Sequence, residues 1–148
     1  MFLFLYLLLQ AHVFLDAVAV EPFSIKRQSL LGLINLSCVE SKYNRISDLN
    51  EGMLHVSMNF QQLDLRLVLL MLQCLCNLSG VHNNAANLVE LGCARQIAKI
   101  AMTTMSVDAK RLCVDSLCHL AECPMSRTKM ADHGQDRKST RLNSSHRC

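Results

Sequence analysis

The 148-residue sequence predicts an all-α fold, an α-solenoid of about three stacked helical repeats. Hydrophobic residues make up 51% of the chain and charged residues 18%, which is enough apolar material for a packed core and too little charge for a disordered chain. Five Gly and two Pro leave few turn residues for short strands, whereas Leu, Ala and Met favour helices. In addition, one apolar block recurs every 42 residues.

The recurring block reads LINLS at residues 33–37, LCNLS at 75–79 and LCHLA at 117–121. Its central residues, Asn35, Asn77 and His119, are 42 positions apart both times. A polar connection and then a glycine follow each block, and the glycines are Gly52, Gly92 and Gly134. Each predicted unit alone leaves a hydrophobic face bare, so the units must stack to cover it.

The helices of the three units can be placed in order along the chain. In the first unit, alignment at the same interval places helices at residues 11–20 and 25–37. In the second unit, the helix from Leu65 to Leu78 is apolar nearly all round, as expected of a helix between two neighbours. Its only polar side chains are those of Arg66, Gln73 and Asn77.

Turn and capping residues delimit the helices of the third unit. Gly92 is placed to end a short helix in a left-handed turn. The residues from Ser106 to Asp108 supply candidate caps for the long third helix, and Pro124 follows where that helix should stop.

The stretch from Leu72 to Met105, with CLCNLS followed by NNxxNLVELG and a second apolar helix, resembles the armadillo repeat. The resemblance extends from Ala11 to Gly134 and implies a partial, right-handed armadillo-type solenoid over residues 11–135. It also implies that each unit has three helices and that the last, long helix of each unit lines a concave groove. In the family, this groove holds extended peptides or other proteins. The departures are His119 in place of Asn, and Gln10 where the first unit should carry Gly.

Nine residues are the predicted partner-binding residues, because they lie at the repeated position and one and two turns before it. Unit by unit they are Arg27, Leu31 and Asn35; Leu69, Gln73 and Asn77; and Arg111, Asp115 and His119. Two interpretations of Asn35 and Asn77 stay open: their amides hold a peptide backbone, or they brace the end of the helix by bonding local backbone. Family members that bind nuclear localisation signals carry Trp one turn before the repeated Asn. This chain has no Trp, so we do not expect it to bind such signals.

Both ends of the chain depart from the repeat pattern. Residues 1–10 form an apolar leader whose nine-residue run is too short for a bilayer span of about 20 residues. Three interpretations stay open: a secretory leader cleaved near Ala19, read-through of untranslated or intronic sequence, or a native buried segment. The repeat alignment disfavours the cleaved leader, and it puts the run in the place of the first helix of the first unit, by accident or by divergence. Residues 136–148 resemble a translated sequencing adapter, so we expect a disordered foreign tail and exclude it from the functional interpretation.

The charge pattern gives no reason to expect nucleic-acid or membrane binding. Up to Gln135 the chain has 11 basic and 11 acidic residues, and the whole net charge of +3 lies in the tail. No phosphate-binding loop, nucleophile elbow or pair of carboxylates is visible, so we predict neither an enzyme nor a small-molecule substrate or cofactor.

The cysteines are predicted to be reduced and buried, because Cys74, Cys76, Cys113 and Cys118 occupy apolar helical positions. A zinc site formed by Cys113, Cys118, His119 and Cys123 is disfavoured, since their spacings scatter the side chains around one helix. We therefore expect a cytoplasmic protein–protein interaction scaffold, a fragment of a larger armadillo-repeat protein. The alternative is a secreted or membrane-associated, disulfide-containing helical protein with a cleaved leader.

Overall fold

A computed structural model describes residues 12–18, 22–38 and 47–132, and these residues form helices and short connections without a strand. The all-α prediction is confirmed. The helices are α1 (residues 12–18), α2 (Phe23–Cys38), α3 (Ser47–Met58), α4 (Leu65–Ser79), α5 (His82–Glu90), α6 (Cys93–Thr103), α7 (Val107–Glu122) and α8 (residues 124–132), with a 3₁₀ helix at Phe60–Gln62. The predictions for residues 1–10, Gly134 and residues 136–148 fall outside the described residues.

Helix α4 is the centre of the packing. It packs most extensively against α7 and α2. Met71, Leu72 and Leu78 are fully buried, and half of the other α4 side chains are buried with them. An apolar surface nearly all round α4 is therefore explained by neighbours on both sides, as predicted.

The shorter helices complete a continuous core. Helix α3 packs against α4, α5 and α6, and both α5 and α6 pack against α7. Helix α1 reaches α2 through Phe14, which lies against Gly32. One cluster of buried residues extends from Val18 of α1 to Cys123 at the end of α7.

The capping predictions for the third unit are confirmed. Gly92 has a φ of 88°, the left-handed conformation that glycine adopts at little cost, and it separates α5 from α6. The Ser106 hydroxyl accepts a hydrogen bond from the Ala109 N–H at 3.2 Å and caps α7. Pro124 is the first helical residue of α8, where it leaves no helical N–H unsatisfied.

Gly52, the counterpart of Gly92 in the repeat pattern, does not separate two helices. Gly52 lies in the middle of α3, and no left-handed turn occurs there. A Cβ atom at Gly52 would collide with the side chain of Leu15 in α1. The glycine therefore permits close packing of two helices and does not mark a turn.

No single helix among the described residues is both long and apolar enough to cross a membrane. Helices α4 and α5 meet the length and hydropathy criteria only together, and their axes are bent by 116°.

Candidate functional site on the surface of α2, α4 and α7

The nine predicted partner-binding residues lie on the three long helices, three on each. Four of them are exposed: Arg27, Asn35, Arg111 and Asp115. Five are half-buried: Leu31, Leu69, Gln73, Asn77 and His119. The helical spacing used in the prediction thus selects residues that solvent reaches, with those on the central helix α4 partly covered.

Asn77 connects α4 to α2. Its Nδ2 donates a hydrogen bond to Ser37 Oγ at 3.1 Å, and its Oδ1 accepts one from Gln73 Nε2 at 3.1 Å. The Ser37 hydroxyl itself donates to the Ile34 carbonyl at 2.7 Å, which leaves its oxygen free to accept from Asn77. The amide of Asn77 is therefore used between helices and not only within its own helix.

His119 connects α7 to α4 in the same way. Its Nδ1 lies 3.3 Å from the Cys76 carbonyl oxygen and 3.5 Å from Ser79 Oγ. A carbonyl oxygen only accepts, so this contact is a hydrogen bond when Nδ1 carries the proton. The Ser79 hydroxyl donates to the Cys76 carbonyl at 2.8 Å, just as Ser37 bonds the carbonyl three residues before it.

The contacts of Asn77 with Ser37 and of His119 with Ser79 are equivalent, and each joins residues 40 positions apart. We call these four residues the interlayer ladder. The two serines were not predicted as site residues, although each is the third residue of an Asn-Leu-Ser block. His119 keeps the contact that Asn makes in the preceding unit, because Nδ1 donates like an amide N–H in the tautomer that carries the proton there.

Other long-range hydrogen bonds have the same sequence separation. Four further pairs that join different helices are 37 to 41 positions apart. These pairs are Asn50–Asn87, Ser57–Gln96, His82–Cys123 and Glu90–Lys129. Helices α2, α3, α4 and α5 thus each bond to a helix about one unit further along the chain, the pattern expected when repeats contact only their neighbours.

Among the described residues, six cysteine side chains form no disulfide bond. The prediction of buried thiols is confirmed for Cys74, Cys76 and Cys113 and is wrong for Cys118, which is exposed. Cys118 lies on the same side of α7 as the exposed residues Val114 and Asp115, one turn before it.

The four residues weighed as zinc ligands face different partners. His119 contacts α4, and Cys123 Sγ donates to the His82 carbonyl at 3.7 Å. Cys113 is buried in the core, and Cys118 faces solvent. Among the described residues, no group of three or more His, Cys, Asp or Glu side chains is arranged to hold a metal ion.

Burial raises the pKa of the Cys93 thiol to about 12 and that of Cys113 to about 11, from an ordinary value of 9.0. Burial also raises the pKa of Cys76, although a hydrogen bond with Ser116 opposes the shift. In contrast, the pKa of Cys123 is lowered, chiefly by the side chain of Ser126.

We expect the stability of the fold to fall as the pH rises above about 9. The unfolded thiols of Cys93 and Cys113 lose their protons near pH 9.0, whereas the folded ones keep them until about pH 12 and about pH 11. The stabilising contribution is thus fully present below the unfolded pKa and is lost above it. Urea unfolding at about pH 8 and about pH 10 measures the loss. The C93A/C113A variant is the control, since its loss should be smaller than that of the wild type; an equal loss would assign the effect to other groups.

No family model, curated protein or solved structure matches this chain. The functional interpretation therefore rests on the geometry of the chain itself.

Proposed function

We propose that this chain is a non-catalytic, armadillo-type scaffold that binds an extended segment of a partner protein along the surface of α2, α4 and α7. The observation that carries the proposal is the interlayer ladder, in which one contact recurs at a separation of 40 residues between successive long helices. A recurring contact of this kind supports a stack of units in register, because each helix meets the next through the same residues.

The exposed residues of this surface suit an extended ligand. Arg27 and Asn35 lie on α2, and Arg111 and Asp115 lie on α7, with α4 packed against both helices. Packed helices are about 8–10 Å apart and an extended chain advances about 3.3 Å per residue, so a peptide crossing the helices meets a new one about every third residue. Guanidinium, amide and carboxylate groups supply both donors and acceptors for such a backbone.

The proposed setting is the cytoplasm, within a longer armadillo-repeat protein. Five buried cysteines support it, since their side chains serve as small apolar residues of the core and not as a disulfide framework.

A selection of random displayed peptides against the whole chain tests the proposed function. We expect the enriched peptides to bind the R27A/R111A/D115A variant at least about 10-fold more weakly, a loss of about 1.4 kcal/mol. The matched control is R95A/K99A, which removes two exposed charges from α6, outside the proposed surface. Peptides that bind the triple variant as tightly as the wild type, or that lose affinity only for the α6 variant, contradict the proposal. Circular dichroism checks that both variants stay folded.

A further inference from the structure

We infer that one water molecule is bound inside the fold, between α3 and α5, with the side-chain amides of Asn50 and Asn84 as its partners. The inference concerns the packing of these two helices and does not depend on peptide binding. It starts from two buried asparagines whose amides are only partly hydrogen-bonded.

Asn50 presents a buried acceptor to α5. It lies in α3 with an exposure of 0%, and its Nδ2 donates a hydrogen bond to Asn87 Oδ1 at 2.8 Å, which directs the amide towards α5. Its Oδ1 is buried as well and accepts no hydrogen bond from the described residues. Buried amide oxygens are nearly always paired, with protein or with ordered water, because the loss of hydration is otherwise not compensated.

Asn84 presents a buried donor from the other helix. It is 6% exposed, and its Nδ2 is buried without an acceptor among the described residues. Asn84 lies one turn before Asn87, so their side chains share one face of α5, with Cβ atoms about 5–6 Å apart. Because Asn87 bonds to Asn50, this face is the one that packs on α3. The unpaired donor and the unpaired acceptor therefore lie in the same part of the α3–α5 contact, although no hydrogen bond joins them directly.

The chemistry of these two groups identifies the ligand. The Asn84 N–H needs an acceptor and the Asn50 oxygen needs a donor, and a water molecule supplies both. An ion is disfavoured, since every buried polar residue in the described part of the chain is a serine or an asparagine and no buried charge is there to balance it. Buried waters typically make about three hydrogen bonds to groups that are otherwise unsatisfied, and these two amides supply two of them.

The site is the same for either orientation of the paired amides. If the amides of Asn50 and Asn87 were both turned over, Asn87 would donate to Asn50 and the unpaired group of Asn50 would be its Nδ2. Water would then accept a hydrogen bond from Asn50 and another from Asn84. In both arrangements one water satisfies both asparagines and ties the first turn of α5 to α3.

Nuclear Overhauser effects between water and the whole, isotope-labelled chain test the inference. We expect the side-chain NH₂ protons of Asn50 and Asn84 to show cross-peaks with water of the same sign as cross-peaks within the protein, because a buried water tumbles with the fold. Rotating-frame spectra separate these contacts from proton exchange, which gives the opposite sign. Asn83 is the internal control, since it is the exposed neighbour of Asn84 and its hydration water exchanges too fast to give such peaks.

Two leucine substitutions then assign the water to its partners. Asn84→Leu keeps the size of the side chain and removes the donor, so the water contact of Asn50 should be lost. Asn83→Leu makes the same change at the exposed neighbour and should leave the water contacts of Asn50 and Asn84 unchanged.

Three results would overturn the inference. The first is a folded wild type without a long-lived water contact at Asn50 and Asn84, a measurement that requires no variant to fold. The second is a water contact of Asn50 that persists in folded Asn84→Leu, because the two amides then do not share one ligand. The third is a water contact at Asn83 as strong as that at Asn84, because it reports surface hydration.

Discussion

Replacing Leu75 by Ala is expected to lower the free energy of unfolding by about 2–5 kcal/mol. Leu75 is 1% exposed and lies in α4, which packs against both α2 and α7. Truncation removes apolar contacts and leaves a cavity between helices that cannot fully collapse around it. This loss is a large share of the total stability of a domain, which is about 5–15 kcal/mol. Urea unfolding of the variant and the wild type at neutral pH measures the loss.

The matched control is Leu65→Ala in the same helix. Leu65 is 49% exposed and follows the capping residue Asp64, so the same chemical change removes much less buried area. We expect its cost to be at most about 1 kcal/mol, since the helix propensities of Leu and Ala are similar. Equal losses in the two variants would contradict the central position of α4.

The all-α class could be predicted from the sequence because the composition of α4 alone indicates a buried helix. A helix with only Arg66, Gln73 and Asn77 as polar side chains has no other stable place than between neighbours. The two glycines show where local sequence becomes insufficient. Gly92 and Gly52 occupy similar positions in the repeat pattern, yet only Gly92 adopts a positive φ. Gly52 lies within its helix, and Leu15, 37 residues earlier in the chain, occupies the space that a Cβ atom there would need.

The candidate site shows the same limit. Helical spacing placed the nine residues on three long helices. It could not distinguish the exposure of Asn35 from that of Asn77, because the two lie in identical Asn-Leu-Ser blocks. Asn35 is exposed, whereas Asn77 is half-buried and bonds to Ser37 of the neighbouring helix. Cys118 is a similar case, because its apolar block predicts burial and the side of α7 that it occupies decides its exposure. Exposure depends on what lies across the interface, and such contacts between distant residues leave only a weak signal in one sequence.

Asn77→Ala is expected to lower the free energy of unfolding by about 1–2 kcal/mol more than Asn35→Ala does. The two substitutions change helix propensity equally, so their difference reports the contacts that only Asn77 makes. Those contacts are the hydrogen bonds with Ser37 on α2 and with Gln73 one turn earlier. Urea unfolding of both variants gives the difference.

A double-mutant cycle with Ser37→Ala assigns the loss to the contact between the helices. We expect a coupling free energy of about 0.5–1.5 kcal/mol between Asn77 and Ser37, and about zero between Asn35 and Ser37. A coupling free energy near zero between Asn77 and Ser37, together with weaker binding of the selected peptides to Asn77→Ala, would mean that the Asn77 amide binds the peptide and does not stabilise the packing of α2 on α4. Coupling in the expected range means that Asn77 holds α2 and α4 in register, and that Arg27, Asn35, Arg111 and Asp115 are the residues left to meet a partner. Since a stacked array presents a continuous surface only while its helices stay in register, the contact of Asn77 with Ser37 then supports the binding surface that we propose.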